Sequence, residues 1–184
     1  MRINFTPKVA YRMIDRAKRT FCRYPCRTVA QEWKNLLKSL QVFIVINPKL
    51  LTTAGTACFV RVRDARTLFK IPREYEPTKV DGVLGYFIIE VNPKLVILDP
   101  PSEVYDTISH ELAHCLDYKI RGFYGRTDAE VHDEFWSFLH KRMGGDGEQF
   151  ISHEKSKFRL KMAAKKAQRL TKSFKPLDFT RKRL

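Results

Sequence analysis

The sequence predicts an α+β fold, with two helices first, several short strands in the middle and two or three helices last. Three observations predict it. Apolar residues recur at three- and four-residue steps ahead of Gln41. From Val42 to Leu98 that period gives way to short β-branched and aromatic runs bounded by Asn, Pro, Gly or Asp. After Pro100-Pro101 the helical period returns, punctuated by Gly122 and Gly144-Gly145.

Taken in order, Thr6-Pro7 reads as a helix start, a capping residue followed by Pro at the first helical position. From there to about Tyr24, Val9, Met13, Ile14, Ala17 and Phe21 mark one face, and Arg12, Arg16, Arg19 and Arg23 run along another; Pro25 ends the helix. Thr28 opens a second helix whose stripe is Val29, Trp33, Leu36, Leu37 and Leu40. Strands are expected at Val42–Ile46, Cys58–Arg63, Thr67–Ile71, Val83–Val91 and Leu95–Leu98. Asn-Pro-Lys-Leu occurs at 47–50 and again at 92–95, which reads as two independent turns. Ser102 is expected to cap a helix that runs to about Arg121 and stops at Gly122. Thr127 and Glu130 form a capping box for a further helix to Met143. The last thirty residues read as a basic helix to about Lys172, then a Pro-containing tail.

With 184 residues, 43% hydrophobic and 12% aromatic, the chain suits one packed domain and argues against wholesale disorder. The longest apolar run, Val83 to Ile89, stops at Glu90 and is far short of a membrane span. Residues 1–27 lack the apolar stretch of a secretory signal. Their basicity suits a transit peptide, but the first Ser is Ser39, which does not. Cys22, Cys26, Cys58 and Cys115 show no framework spacing, so they read as ordinary thiols in a reducing compartment. An intracellular setting is the expectation: cytoplasm, nucleoid or nucleus, or that of a viral product.

The net charge of +15 is unevenly spread. Residues 1–27 carry +7, residues 155–184 carry +11, and residues 28–154 carry −3. The pattern suggests a working core, residues 28–150, between a basic N-terminal helix (1–27) and a basic C-terminal tail (151–184).

The chemistry concentrates in His110-Glu111-Leu112-Ala113-His114. On a helix, residues four apart point nearly the same way, so both imidazoles can grip one ion. Glu111 lies about 100° from His110 and about 60° from His114, at the edge of that face. There it can take a proton from a metal-bound water without itself coordinating. Tyr105, Ile108, Leu112, Leu116 and Ile120 fill the opposite arc, so the helix is expected to pack on a core and show its ligands to a cleft. The pattern arises by chance in about one shuffled sequence per hundred of this composition, so coincidence is the weaker reading.

A catalytic zinc has three protein ligands and an open position. His132 and Glu134 are the candidates for the third. On a helix over 127–143, His132 shares a stripe with Ala129, Phe135, Trp136, Leu139 and Met143, whereas Glu134 lies about 160° from Trp136 on the polar side. Helical phase favours His132. Asp106 and Asp117 are placed to accept from the second ring nitrogens of the ligands, with ordinary solvated acids as the rival reading. Tyr118 is placed for contact with an oxyanion, with wall packing the rival. Cys115 falls on the buried flank.

Thr52-Thr53-Ala54-Gly55-Thr56-Ala57, the strand ahead of the helix, the His-Glu-Leu-Ala-His helix and His132-Asp-Glu-Phe-Trp resemble the SprT-like domain, the metalloprotease domain of the Spartan DNA–protein-crosslink proteases. The resemblance covers roughly residues 28–145. It implies a small zincin-like domain with a short, mostly antiparallel sheet, Zn2+ on His110, His114 and His132, and Glu111 as general base. Two departures stand out. The family often has Gly after the third His, where this chain has Asp133, and many members end in a Cys-rich zinc ribbon, whereas no Cys follows Cys115.

In that place stands the basic tail, with Lys157, Lys161, Lys165, Lys166, Arg169 and Lys172 around Phe158, Met162 and Leu170. Such a tail suits the phosphate backbone of nucleic acid, DNA by the resemblance, read without sequence preference. Its rivals are a solvated or partner-binding tail, an anionic-membrane helix, and a segment folded back over the cleft. Two functions therefore stand: a nucleic-acid-associated zinc endopeptidase acting on DNA-bound proteins, or a non-catalytic, possibly viral, nucleic-acid-packaging protein with a structural zinc. Glu111 separates them, because a structural site has no use for a carboxylate beside an open position.

Overall fold

A computed structural model describes residues 7–47, 49–50, 53–92, 100–123 and 131–147. The expected strand at 95–98, the Thr127–Glu130 box and the tail from Lys157 to Lys172 lie outside those residues. The described chain runs α1 (Pro7–Arg23), α2 (Gln31–Ser39), β1 (Val42–Ile46), β2 (Gly55–Arg61), α3 (Val62–Leu68), β3 (Thr78–Val80), β4 (Val83–Val91), α4 (Pro101–Arg121) and α5 (Glu134–Arg142). It is an α+β fold with a small mixed sheet.

Strand β4 organises the sheet. Its Tyr86, Phe87, Ile88 and Ile89 are all at most 1% exposed, so both faces of this strand are covered. β1 pairs with it in parallel, Val42 opposite Phe87 through Ile46 opposite Val91. β2 pairs antiparallel, Gly55 opposite Val91 through Arg61 opposite Gly85. β3 joins β4 through Asp81 and Gly82, both at positive φ, the two-residue turn whose twist suits a hairpin. Among the described residues β2 is an edge strand.

The two sheet faces bury different things. Phe87, Ile89 and Val91 face a large core with Ala10, Ile14, Ala17 and Phe21 of α1, Leu37 of α2, Ile108, Leu112 and Leu116 of α4, and Trp136 and Leu139 of α5. Tyr86 and Ile88 face a smaller core closed by Ala65 of α3. Deleting a fully buried side chain such as Leu112 leaves a cavity and costs about 2–5 kcal/mol.

Four local expectations need correction. Thr67–Ile71 is not a strand: Val62, Ala65 and Phe69 recur at helical spacing and pack α3 onto the sheet, overriding the alternation within residues 67–71. Thr28 does not open α2; its hydroxyl and N–H both donate to the Pro25 carbonyl in a turn, and the helix begins at Gln31. Ser102 lies inside α4, whose first helical residue is Pro101. The helix expected to run on to Met143 is interrupted at His132 and Asp133, and α5 begins at Glu134, where the Asp133 side chain caps it by accepting from Trp136 N at 3.0 Å.

Candidate metal centre

Helix α4 is buried through the stretch that carries the motif, from Ile108 to Asp117, with His110 alone partly exposed. The ligand face packs against α5, with His110 and His132 left partly exposed. His110 Nε2 lies 3.2 Å from His114 Nε2, as the one-turn spacing requires. His132, from the segment before α5, brings its Nε2 to 3.0 Å from that of His114. One nitrogen from each ring lies within 4.8 Å of the others, so a single ion can touch all three. Glu134 is exposed.

His132 reaches this point without being on α5. It stands directly ahead of the capping residue, so helical phase along 127–143 is not what aims it. Asp133 does the placing. Its carboxylate caps α5 and takes two hydrogen bonds from Arg121, at 2.6 and 3.0 Å. Arg121 also donates through Nε to buried Asp117 at 2.5 Å and lies over the Phe135 ring. The C-terminus of α4 and the N-terminus of α5 are tied together beside His132.

Glu111 faces the edge strand. The Ala57 backbone N–H donates to its carboxylate, but burial outweighs that bond and pushes the carboxyl up to about 8. Gly55 makes the close approach possible: a Cβ there would meet Glu111 Cγ and Thr107 Cγ2 at 3.0 Å each. Gly55 and Ala57, from the stretch that carries part of the resemblance, seat Glu111.

Around the three imidazoles lies an aromatic packing set that sequence reasoning missed. Trp136, fully buried, stacks on His114 at 5.2 Å and meets His110 edge-on at 4.4 Å. His140, also fully buried, packs on Trp136 and on His110. The spacing 132, 136, 140 was the available signal, an inward aromatic line at four-residue steps. Burial first, then the neighbouring His140 and His132, pushes His110 down to about 3, which keeps its lone pair free.

The remaining candidates are placed as follows. Asp106 pairs with His140 Nε2 at 3.3 Å and accepts from Asp146 N. Burial would raise its carboxyl, yet His140 holds it below the ordinary value. Gly147 N donates to His140 Nδ1, and Ser109 Oγ lies 3.2 Å from Nε2, so both ring nitrogens are engaged. Asp106, His140 and Asp146 thus form a clamp that holds the 144–147 loop on α4. Asp117 is the buried partner of Arg121. Tyr118 stacks on His114 at 5.8 Å.

A buried helix with two imidazoles one turn apart, a third brought in beside them and a buried carboxylate next to the first in the chain defines a candidate metal-dependent hydrolase. The chain matches the SprT-like family over residues 9–165 and belongs to it. The match takes in α1 as well as the core first recognised. No curated protein and no solved structure matches the chain. No helix among the described residues is long and apolar enough to cross a membrane.

Proposed function

We propose that this protein is a zinc-dependent endopeptidase of zincin-like architecture, associated with nucleic acid and acting on DNA-bound proteins. The single observation that supports it best is the meeting of three imidazole nitrogens on and beside the helix that also carries buried Glu111. Tetrahedral zinc with Zn–N bonds of about 2.0–2.1 Å holds its ligand nitrogens about 3.3 Å apart. The spacings of 3.2 and 3.0 Å are close to that. His110, His114 and His132 would hold the ion. When bound, zinc supplies a Lewis acid that polarises the scissile carbonyl and acidifies water.

The chain's own groups do the rest. Glu111 takes the proton from the attacking water and returns it to the leaving amine, a shuttle that needs a carboxyl titrating near neutrality. Burial raises it to about 8, and a divalent cation held by the imidazoles would lower it. β2, an edge strand among the described residues, runs past Glu111, where an extended peptide can add by backbone hydrogen bonds. Association with DNA is supported by the basic segments and by the family. The test is Glu111→Gln, which should keep stoichiometric zinc and abolish cleavage of a DNA-bound protein. Unchanged cleavage would overturn the enzymatic reading.

A further inference from the structure

Helix α1 carries a row of cations on the folded domain, and no ion pair among the described residues engages it. At 100° per residue, Lys8, Arg12, Arg16, Arg19 and Arg23 fall within an arc of about 80°. All five are exposed, and they lie opposite the buried line of Ala10, Ile14, Ala17 and Phe21. Asp15, the helix's single acid, borders the row one turn from Arg12 and Arg19 and leaves four of its five charges unbalanced. The ion pairs among the described residues belong to Arg121 and His140, none to this row. Arg16 is held over the Tyr105 ring at 4.5 Å, and Arg142 of α5 over Tyr24, beside Arg23, at the same distance.

The row works against the helix that carries it. Like charges three and four residues apart repel, and Lys8 faces the positive end of the helix dipole with no acid in the first turn. A face needed only for solubility gains more from mixed signs.

We propose that this row is a binding surface for the phosphate backbone of nucleic acid. Four of its five cations are arginines, whose planar fork matches phosphate oxygens. Along the helix they are spaced at about 4.5–6 Å, so successive guanidiniums can reach separate phosphates. An anionic membrane is the poorer partner, because the apolar face of α1 is spent in the core and cannot insert. The inference rests on the nucleic-acid association proposed above, moving it from the tail to the folded domain, and does not depend on proteolysis.

The test uses the full chain with Arg12→Gln, Arg19→Gln and Arg23→Gln together, titrated with a labelled DNA duplex at several salt concentrations. The slope of log K against log salt should become shallower by about 0.9 per cation removed, hence about 2.7, whatever the duplex sequence. Arg63→Gln, Lys70→Gln and Arg73→Gln, exposed on another surface, remove the same charge and should leave the slope near that of the parent. The α1 variant should also unfold no earlier than the parent, since it relieves repulsion. An unchanged slope overturns the α1 surface and leaves the tail as the anchor. Equal losses in both variants overturn it in favour of diffuse net charge. If the parent binds poly-glutamate but no duplex, the partner is an acidic protein, and both the surface and the association fall.

Discussion

A Cβ added at Gly55 would stand 3.0 Å from Glu111 Cγ and 3.1 Å from its Oε1. Glycine suits this position by proximity, because any larger residue would press on the Glu111 and Thr107 side chains. Gly55→Ala should push Glu111 by a few tenths of an ångström and lower kcat by about 10-fold or more, with zinc content unchanged. Steady-state cleavage and metal analysis on one preparation check this; full activity would mean that β2 does not position Glu111.

The shifts of Glu111 and His110 make the metal-free protein's stability depend on pH in opposite senses. Glu111 holds its proton in the folded state up to about 8, against 4.5 ordinarily, so its contribution is present below 4.5 and lost as pH rises through 8. His110 stays neutral down to about 3, against 6.5 ordinarily, so its contribution is present above 6.5 and lost as pH falls through 3. Together they predict a plateau between about 4.5 and about 6.5, with a slope of at most about 1.4 kcal/mol per pH unit on either side. Glu111→Gln should remove the alkaline decline. Urea unfolding across this range decides it, and an alkaline decline that persists in Glu111→Gln would assign it elsewhere.

His132→Ala should abolish tight zinc binding, whereas Glu134→Ala should leave it intact, as read by competition with a chelating dye. Asp133→Ala, which removes both the cap and the Arg121 pair, should weaken zinc by about 10- to 100-fold, the loss an outer partner brings. It should also cost about 1–2 kcal/mol of stability through the cap. Asp133→Asn keeps a capping oxygen and should recover most of that stability. A full loss of zinc in Glu134→Ala would make the carboxylate a ligand.

Chelation should lower the thermal midpoint of the wild-type chain, because an ion bound to the folded state alone stabilises by mass action. His132→Ala should show no such drop. A midpoint indifferent to chelator in the wild type would remove the case for a resident metal.

Trp136 separates packing from hydrogen bonding. Its indole N–H is buried and has no partner among the described residues, so the ring rather than the N–H does the holding. Trp136→Phe should keep zinc affinity within a few-fold, whereas Trp136→Ala should cost about 3–5 kcal/mol and loosen all three imidazoles. Equal damage from both substitutions would show that the N–H matters.

The metal helix was legible because its signal is local. Two imidazoles four residues apart share a face wherever the helix forms, and the apolar arc of Ile108, Leu112 and Leu116 made that helix certain to pack. The hydrophobic run of β4 and the α1 boundaries were legible for the same reason. Two local signals went unread: Asp81-Gly82, which turns the β3–β4 hairpin, and the helical spacing of Val62, Ala65 and Phe69. What no local pattern contains is the set of long-range meetings. His132 was chosen by a helical phase that it does not have; the Arg121–Asp133 knot puts it beside His114. Asp106 turned to His140 rather than to a predicted ligand, and Glu111 found its seat on Gly55 and Ala57, more than fifty residues away in the chain. Spacing along a helix determines which side chains share a direction. Which groups then come within hydrogen-bonding reach depends on how strands and helices close on one another, and only the packed tertiary structure decides that.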